Sequence, residues 1–197
     1  MLKVAVFISG GGTDLQSIID AKNNGEIDID IKLVVSSKKN AYGLERARKD
    51  GIKAEFIRDE DIIIERLKEE EIDLIVLAGY LAIVSKKLID LYKNRIINIH
   101  PSLIPSFCGP GYYGMHVHNE VLKRGVKVSG CTVHFVSEVV DGGPIILQQA
   151  VDISDLKTAE EIQQRVLDIE HVLLPKAVGL IAEGKVKVID ERVEILK

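Results

Sequence analysis

The sequence predicts an α/β fold: a doubly wound, mostly parallel sheet with helices on both faces and an antiparallel C-terminal portion. Short β-branched runs alternate with longer helical patterns over residues 1–100. Those runs are apolar on both faces, as strands buried inside a parallel sheet are. After Pro101 the alternation gives way to a loop, a short helix, two strands and one long helix.

Taken in order, Lys3–Ile8, Ile31–Ser36, Lys53–Ile57, Asp73–Ala78 and Arg95–Ile99 read as buried strands. Thr13–Asn23, Ala41–Asp50, Asp61–Glu70 and Ser85–Tyr92 show helical spacing between them, with Ser85 as an N-cap. The handedness of crossover connections folds this βαβαβαβαβ order into a parallel sheet. Pro101–Gly114 holds three of the five prolines together with Gly109, Gly111 and Gly114, and reads as an irregular loop. A helix over about 115–123 follows, then strands over Ser129–Val136 and Ile145–Val151. A long helix opens at Thr158, with Glu161 completing a capping box, and ends near Glu183.

With 197 residues, 46 % hydrophobic and 28 % charged, the chain reads as one globular domain over 1–197 that needs no disulfide or structural metal. Its 26 basic and 30 acidic residues give a net charge of −4, which argues against broad nucleic-acid affinity. Cys108 and Cys131 form no CxxC pair, so a reducing compartment is expected. The first apolar run reaches glycines after Ile8, too short for a secretion signal or membrane span, and a cytoplasmic protein is expected.

The first strand runs through Ser9-Gly10-Gly11-Gly12-Thr13 directly into a helix. Glycines allow backbone amides close to an anion, and a helix N-terminus adds free N–H groups, so the loop reads as a cradle for one phosphate. Taken alone it also fits a tight βα turn. No Lys-Ser/Thr pair makes it a P-loop, and Leu15 and Ser36-Ser37 break a dinucleotide fingerprint.

The fifth strand ends in Asn98-Ile99-His100-Pro101-Ser102. Asn98 and His100 share a strand face and point beyond its carboxyl end, where open α/β sheets bind ligands. An amide can hold a developing oxyanion and an imidazole can move a proton near neutral pH. Asp141 lies in Asp141-Gly142-Gly143-Pro144, after a strand carrying His134. It serves either as a turn former or as the partner of His100, whose pKa it would raise. His116 and His118 would point about 200° apart on a helix, which argues against a shared metal. Cys108 reads as a bystander.

These blocks, with Leu77-Ala78-Gly79-Tyr80, Val133-His134-Phe135-Val136 and Ile145-Ile146-Leu147-Gln148, resemble the phosphoribosylglycinamide formyltransferases of purine biosynthesis across essentially the whole chain. The resemblance implies transfer of a formyl group from 10-formyltetrahydrofolate to the amine of 5-phosphoribosylglycinamide, with no metal. It divides the chain into a phosphate- and ribonucleotide-binding half, 1–100, and a folate-binding and catalytic half, 101–197. It implies that Gly10, Gly11, Gly12, Thr13 and Asp14 hold the phosphate, and that Glu170 binds the ribose. Asn98, His100 and Asp141 would be catalytic, with His134 in support. Folate would lie against Leu81, Ala82, Ile83, Val84, Asn98, Val139, Val140 and Asp141, with Arg58 as a basic contact. Asp14 stands where the family usually has Asn, Ala82 where many members carry Arg, and Pro110 where close relatives carry Lys. The loop 106–114 is longer than in many relatives.

Rival expectations are another formyl-folate enzyme, either formyltetrahydrofolate deformylase or methionyl-tRNA formyltransferase, and a non-catalytic phosphate- or folate-binding module. The start of the first strand at Lys3 and the end of the chain at Lys197 are taken to favour the ribonucleotide substrate. No nucleic acid and no membrane is expected as partner, and the chain is expected to be a monomer or homodimer.

Overall fold

The computed structural model describes residues 1–197. Its main sheet has seven strands in the order β3-β2-β1-β4-β5-β6-β7. They are β1 (Leu2–Ile8), β2 (Ile29–Ser36), β3 (Lys53–Phe56), β4 (Leu74–Leu77), β5 (Ile96–His100), β6 (Val128–Phe135) and β7 (Ile145–Asp152). β1 to β5 are parallel, and β6 and β7 close one edge antiparallel. This single sheet runs through residues on both sides of position 100.

The period-2 alternation of β1 shows why helices must cover both faces. Val4, Val6 and Ile8 enter one core with residues of α1 (Thr13–Asn23), α2 (Tyr42–Lys49), α5 (Met115–Arg124) and α6 (Ala159–Ala182). Ala5 and Phe7 enter the other core, beneath α3 (Glu60–Glu69) and α4 (Lys86–Leu91). Burying a side chain of this size contributes about 1.5–3 kcal/mol, so both faces carry substantial stabilisation. The caps read from sequence are present: the Ser85 hydroxyl accepts from Leu88 N–H, and Thr158 and Glu161 form the capping box of α6.

Two features differ from the sequence expectation. β3 is half-exposed, because it is the sheet edge and its outward Lys53 and Glu55 pair with Glu70 and Arg66. A second sheet, β8 (Val186–Ile189) with β9 (Arg192–Ile195), follows α6 through an Asp190-Glu191 turn at positive φ. That turn lacks the Gly or Asn that usually marks a two-residue hairpin.

The strand order reverses between β1 and β4, the place where an open α/β sheet leaves a crevice beyond its carboxyl ends. The glycine loop, the turn 79–84, His100 and the loop 101–114 all leave from those ends.

Candidate active site

The glycine loop is shaped by contact with α2. Gly12 adopts φ 72°, and a Cβ there would lie 2.7 Å from Gly43 Cα, so a side chain is barred by backbone as well as by conformation. Gly43 N–H donates to Gly10 O at 3.1 Å, and Arg46 Nε donates to Gly11 O at 2.8 Å. With those carbonyls turned to α2 and no side chain capping α1, the first amides of α1 are left to an outside acceptor. Ser9 Oγ bonds Ser37 Oγ at 2.6 Å and accepts from Leu81 N–H at 2.8 Å, tying the ends of β1 and β2 to the turn after β4.

On β5, register places Asn98 opposite His134 and His100 opposite Thr132. His134 Nδ1–H donates to Phe135 O at 2.8 Å, which leaves Nε2 to accept from Asn98 Nδ2 at 3.2 Å. The Asn98 amide is thereby oriented, with a second N–H free. His100, 4 % exposed, donates from Nε2 to Phe107 O at 2.9 Å and turns Nδ1 to Asp141 Oδ2 at 3.5 Å. The other Asp141 oxygen lies 3.7 Å from His134 Nε2, and Oδ2 also accepts from Gly109 N–H at 2.9 Å. Asp141 sits at φ 54°, held because the following glycines fit under β6: a Cβ on Gly143 would fall 1.9 Å from Phe135 O.

The electrostatics correct one expectation. His100 is not raised: its burial outweighs the Asp141 charge and holds its pKa below the usual imidazole value. Asp141 is lowered, although burial opposes this: His134 and His100 favour its carboxylate when they carry the extra proton, and the Gly109 amide donates to it. At neutral pH the resting pair is therefore neutral imidazole beside carboxylate. Nδ1 of His100 is an unprotonated nitrogen facing the Asp141 carboxylate 3.5 Å away, and a proton taken up there is stabilised by that anion.

The formyl transferase family model matches residues 2–178, which include all of β1–β7 and the whole crevice. The chain belongs to the formyl transferase family. It is 40 % identical over 96 % of its length to phosphoribosylglycinamide formyltransferase of Haemophilus influenzae, of which it spans 92 %. Glycinamide ribonucleotide transformylase 1 from Symbiobacterium toebii has the same fold, with TM-score 0.93 and 41 % identity, covering 100 % of this chain and 95 % of that one. A formyltetrahydrofolate deformylase from Pseudomonas syringae pv. tomato shares the fold at TM-score 0.90 with 26 % identity, covering 100 % of this chain and 66 % of that one. Formyl transferase architecture alone thus does not choose the acceptor.

The other sequence-predicted residues of this formyl transferase fall in three places. Leu81, Ile83, Val139 and Val140 are exposed at 50, 89, 68 and 48 %, an apolar rim on the two turns, with Ala82 exposed and Val84 half-buried. The turns are joined through an ion pair of Lys86 with Glu138, and a cleft of about 630 Å³ opens beside Leu81, lined also by Tyr113, Met115 and His116. Arg58 Nε donates to Ser37 O at 3.4 Å and its guanidinium lies over Phe56, while Ser37 is joined through Ser9 to Leu81 N–H. Glu170 is buried where α6 meets the first turn of α1, its carboxyl pushed well up by burial and by the charge of Asp14.

Asp14 does not cap α1; its side chain turns toward α6. Cys108 donates to Pro105 O at 3.3 Å, and burial with the Asp141 charge pushes its thiol up, the opposite of an activated nucleophile. α5 splits the two histidines as expected, His116 to solvent and His118 to the interior, where burial and the charge of His100 bring His118 down to about 4. The loop 101–114 has no helix or strand but is pinned: Ser102 Oγ donates to Ser106 O, and Ile104 N–H donates to Thr132. Phe107 O, Gly109 N and His171 complete the site beyond the sequence expectation. The first two are backbone groups and carry no sequence signal.

Proposed function

We infer that the crevice transfers a formyl group from 10-formyltetrahydrofolate to the amine of 5-phosphoribosylglycinamide. The observation that carries this is the gathering of Asn98, His100 and Asp141 about His134, with Asn98 bonded to His134 at 3.2 Å and Asp141 lying 3.5 Å from His100 and 3.7 Å from His134, beside an uncapped helix N-terminus. The residues from Gly10 to Asp14 receive the phosphate, Glu170 the ribose, and the apolar rim of Leu81, Ile83, Val139 and Val140 a flat folate ring. A neutral Glu170 can donate to a hydroxyl as well as accept from one.

The amine nitrogen attacks the formyl carbon, and the carbonyl electron pair moves to oxygen. The free N–H of Asn98 stabilises that oxyanion. His100 Nδ1 takes the proton lost by the amine and becomes an imidazolium beside Asp141. It returns the proton to the folate nitrogen as the carbon–nitrogen bond breaks, leaving formylated ribonucleotide and tetrahydrofolate. His134 supports this by fixing the Asn98 amide. Transfer is direct, so no side-chain nucleophile is required, and holding both reactants in line supplies much of the rate.

A second reading, hydrolysis of the formyl group to formate, is favoured by the deformylase fold likeness. Purified protein given both substrates should release tetrahydrofolate and formylated ribonucleotide in equal amounts, with no tetrahydrofolate when the ribonucleotide is omitted. Formate release independent of the ribonucleotide would establish the second reading, and binding without turnover would leave only a binding module. No helix is long and apolar enough to cross a membrane; a cytoplasmic monomer or homodimer is part of the same proposal.

A further inference from the structure

Asp14 sets a physical difficulty in the site just proposed. It occupies the first turn of α1, whose amides are to bind a phosphate, and it carries the same sign of charge as that phosphate. Its side chain is largely buried, and Oδ1 has no hydrogen-bond partner. Burial raises its carboxyl pKa, while His171 opposes this. Glu170, beside it, is buried too and offers no positive charge.

The atom facing Asp14 Oδ1 is His171 Nε2, at 3.7 Å. That nitrogen is also buried and also without a hydrogen-bond partner. Two orphaned polar atoms, one from α1 and one from α6, therefore face each other just beyond hydrogen-bond distance, with no other partner for either. The place is next to the phosphate cradle: Thr13 and His171 line one polar cleft of about 620 Å³, together with Arg46 and Gln16. Arg46 itself is committed to Gly11 O and Gln16. His171 is the basic side chain placed to answer Asp14.

We propose that His171 is a positioning residue for the ribonucleotide phosphate, acting through Asp14: its imidazole faces and compensates the Asp14 carboxylate, so that the N-terminus of α1 keeps its attraction for the anion. This rests on the proposed reaction and names a residue that sets substrate affinity without touching the reacting atoms. Removing His171 alone leaves a buried, unpaired carboxylate beside the phosphate, the costly half of a broken pair. Removing Asp14 as well takes away the charge that needed compensation.

The test is a double-mutant cycle on steady-state formyl transfer, with His171→Gln, Asp14→Asn and the two combined. His171→Gln is expected to raise KM for the ribonucleotide about tenfold, the equivalent of about 1.4 kcal/mol, with kcat and the KM for 10-formyltetrahydrofolate within about threefold. In the Asp14→Asn background the same change should move KM less than threefold. Equal KM effects of His171→Gln in both backgrounds, no effect in either, or a loss confined to kcat would overturn the proposal. Should His171→Gln not fold, His171→Asn is run through the same cycle with the same outcomes. Turnover by the unaltered enzyme is measured alongside, so failure of the underlying reaction is seen separately from failure of the pair.

Discussion

Replacing Asp141 by Asn removes one charge and almost no volume. The amide oxygen still accepts from Gly109 N–H, and Asn tolerates the left-handed backbone of this position, φ 54°, so the turn and the loop it holds should persist. What is lost is the anion 3.5 Å from His100 Nδ1, in a pair whose side chains are 5 and 9 % exposed. At an effective dielectric of about 20, a unit charge at that distance is worth about 4 to 5 kcal/mol to an imidazolium. Each 1.4 kcal/mol is a factor of ten in rate, and positioned proton transfer is typically worth 10²- to 10⁴-fold, so kcat should fall by about 10³. The ribonucleotide KM should change little, because α1 and α6 are untouched. The acid limb of kcat/KM gives a second readout. Burial already holds His100 below its usual range, so the limb of the unaltered enzyme lies below about pH 6.5, and losing Asp141 moves it lower still. That limb belongs to the coupled pair and not to one residue. Tetrahydrofolate release followed by absorbance from pH 5 to 9 measures both quantities. A folded variant with kcat within threefold of the parent, or an acid limb displaced upward, would refute the assignment of proton transfer to this pair.

Two other perturbations separate the cradle from the chemistry. Gly12→Ala should cost about 2 to 4 kcal/mol, the sum of a left-handed non-glycine residue and an overlap with Gly43 Cα, and should lower Tm by at least about 5 °C in a calorimetric scan; an unchanged Tm would show that the α1–α2 contact is not tight. Glu170 has a raised folded pKa, so its contribution to stability is present below the unfolded value of about 4.3 and is lost as pH rises toward the folded one. Glu170→Gln is therefore expected to flatten the fall of Tm as pH rises above about 4.3 while raising KM for the ribonucleotide, and an identical Tm profile would contradict burial of an ionisable carboxyl there.

The parts of this protein that were legible in its sequence are those governed by period and chain direction. β1, β4 and β5 announce themselves as apolar runs because helices cover both faces, and Thr158 with Glu161 marks the start of α6 because capping is local. Ala54, Phe56 and Ile57 resemble a core strand, whereas the order of strands, a non-local property, puts β3 at the edge. The same division runs through the site. Asn98 and His100 were readable as a pair because they are two residues apart on one strand. The sign of the His100 shift was not, since it depends on how completely the loop 101–114 covers the ring, and that covering is made by Phe107 O and Gly109 N–H, groups every residue possesses. His171 is silent in the sequence for the complementary reason. It follows Glu170 on a helix and shows no motif of its own, and only the packing of α6 on the first turn of α1 sets it against Asp14. Asp14, conversely, was visible as an anomaly, a carboxylate where an anion is to bind, and a charge out of place in a binding loop is a sequence-level instruction to look for the group that answers it. In this fold that group comes from the far end of the chain, which is why changes at residue 171 should be felt in the affinity of a loop near residue 12.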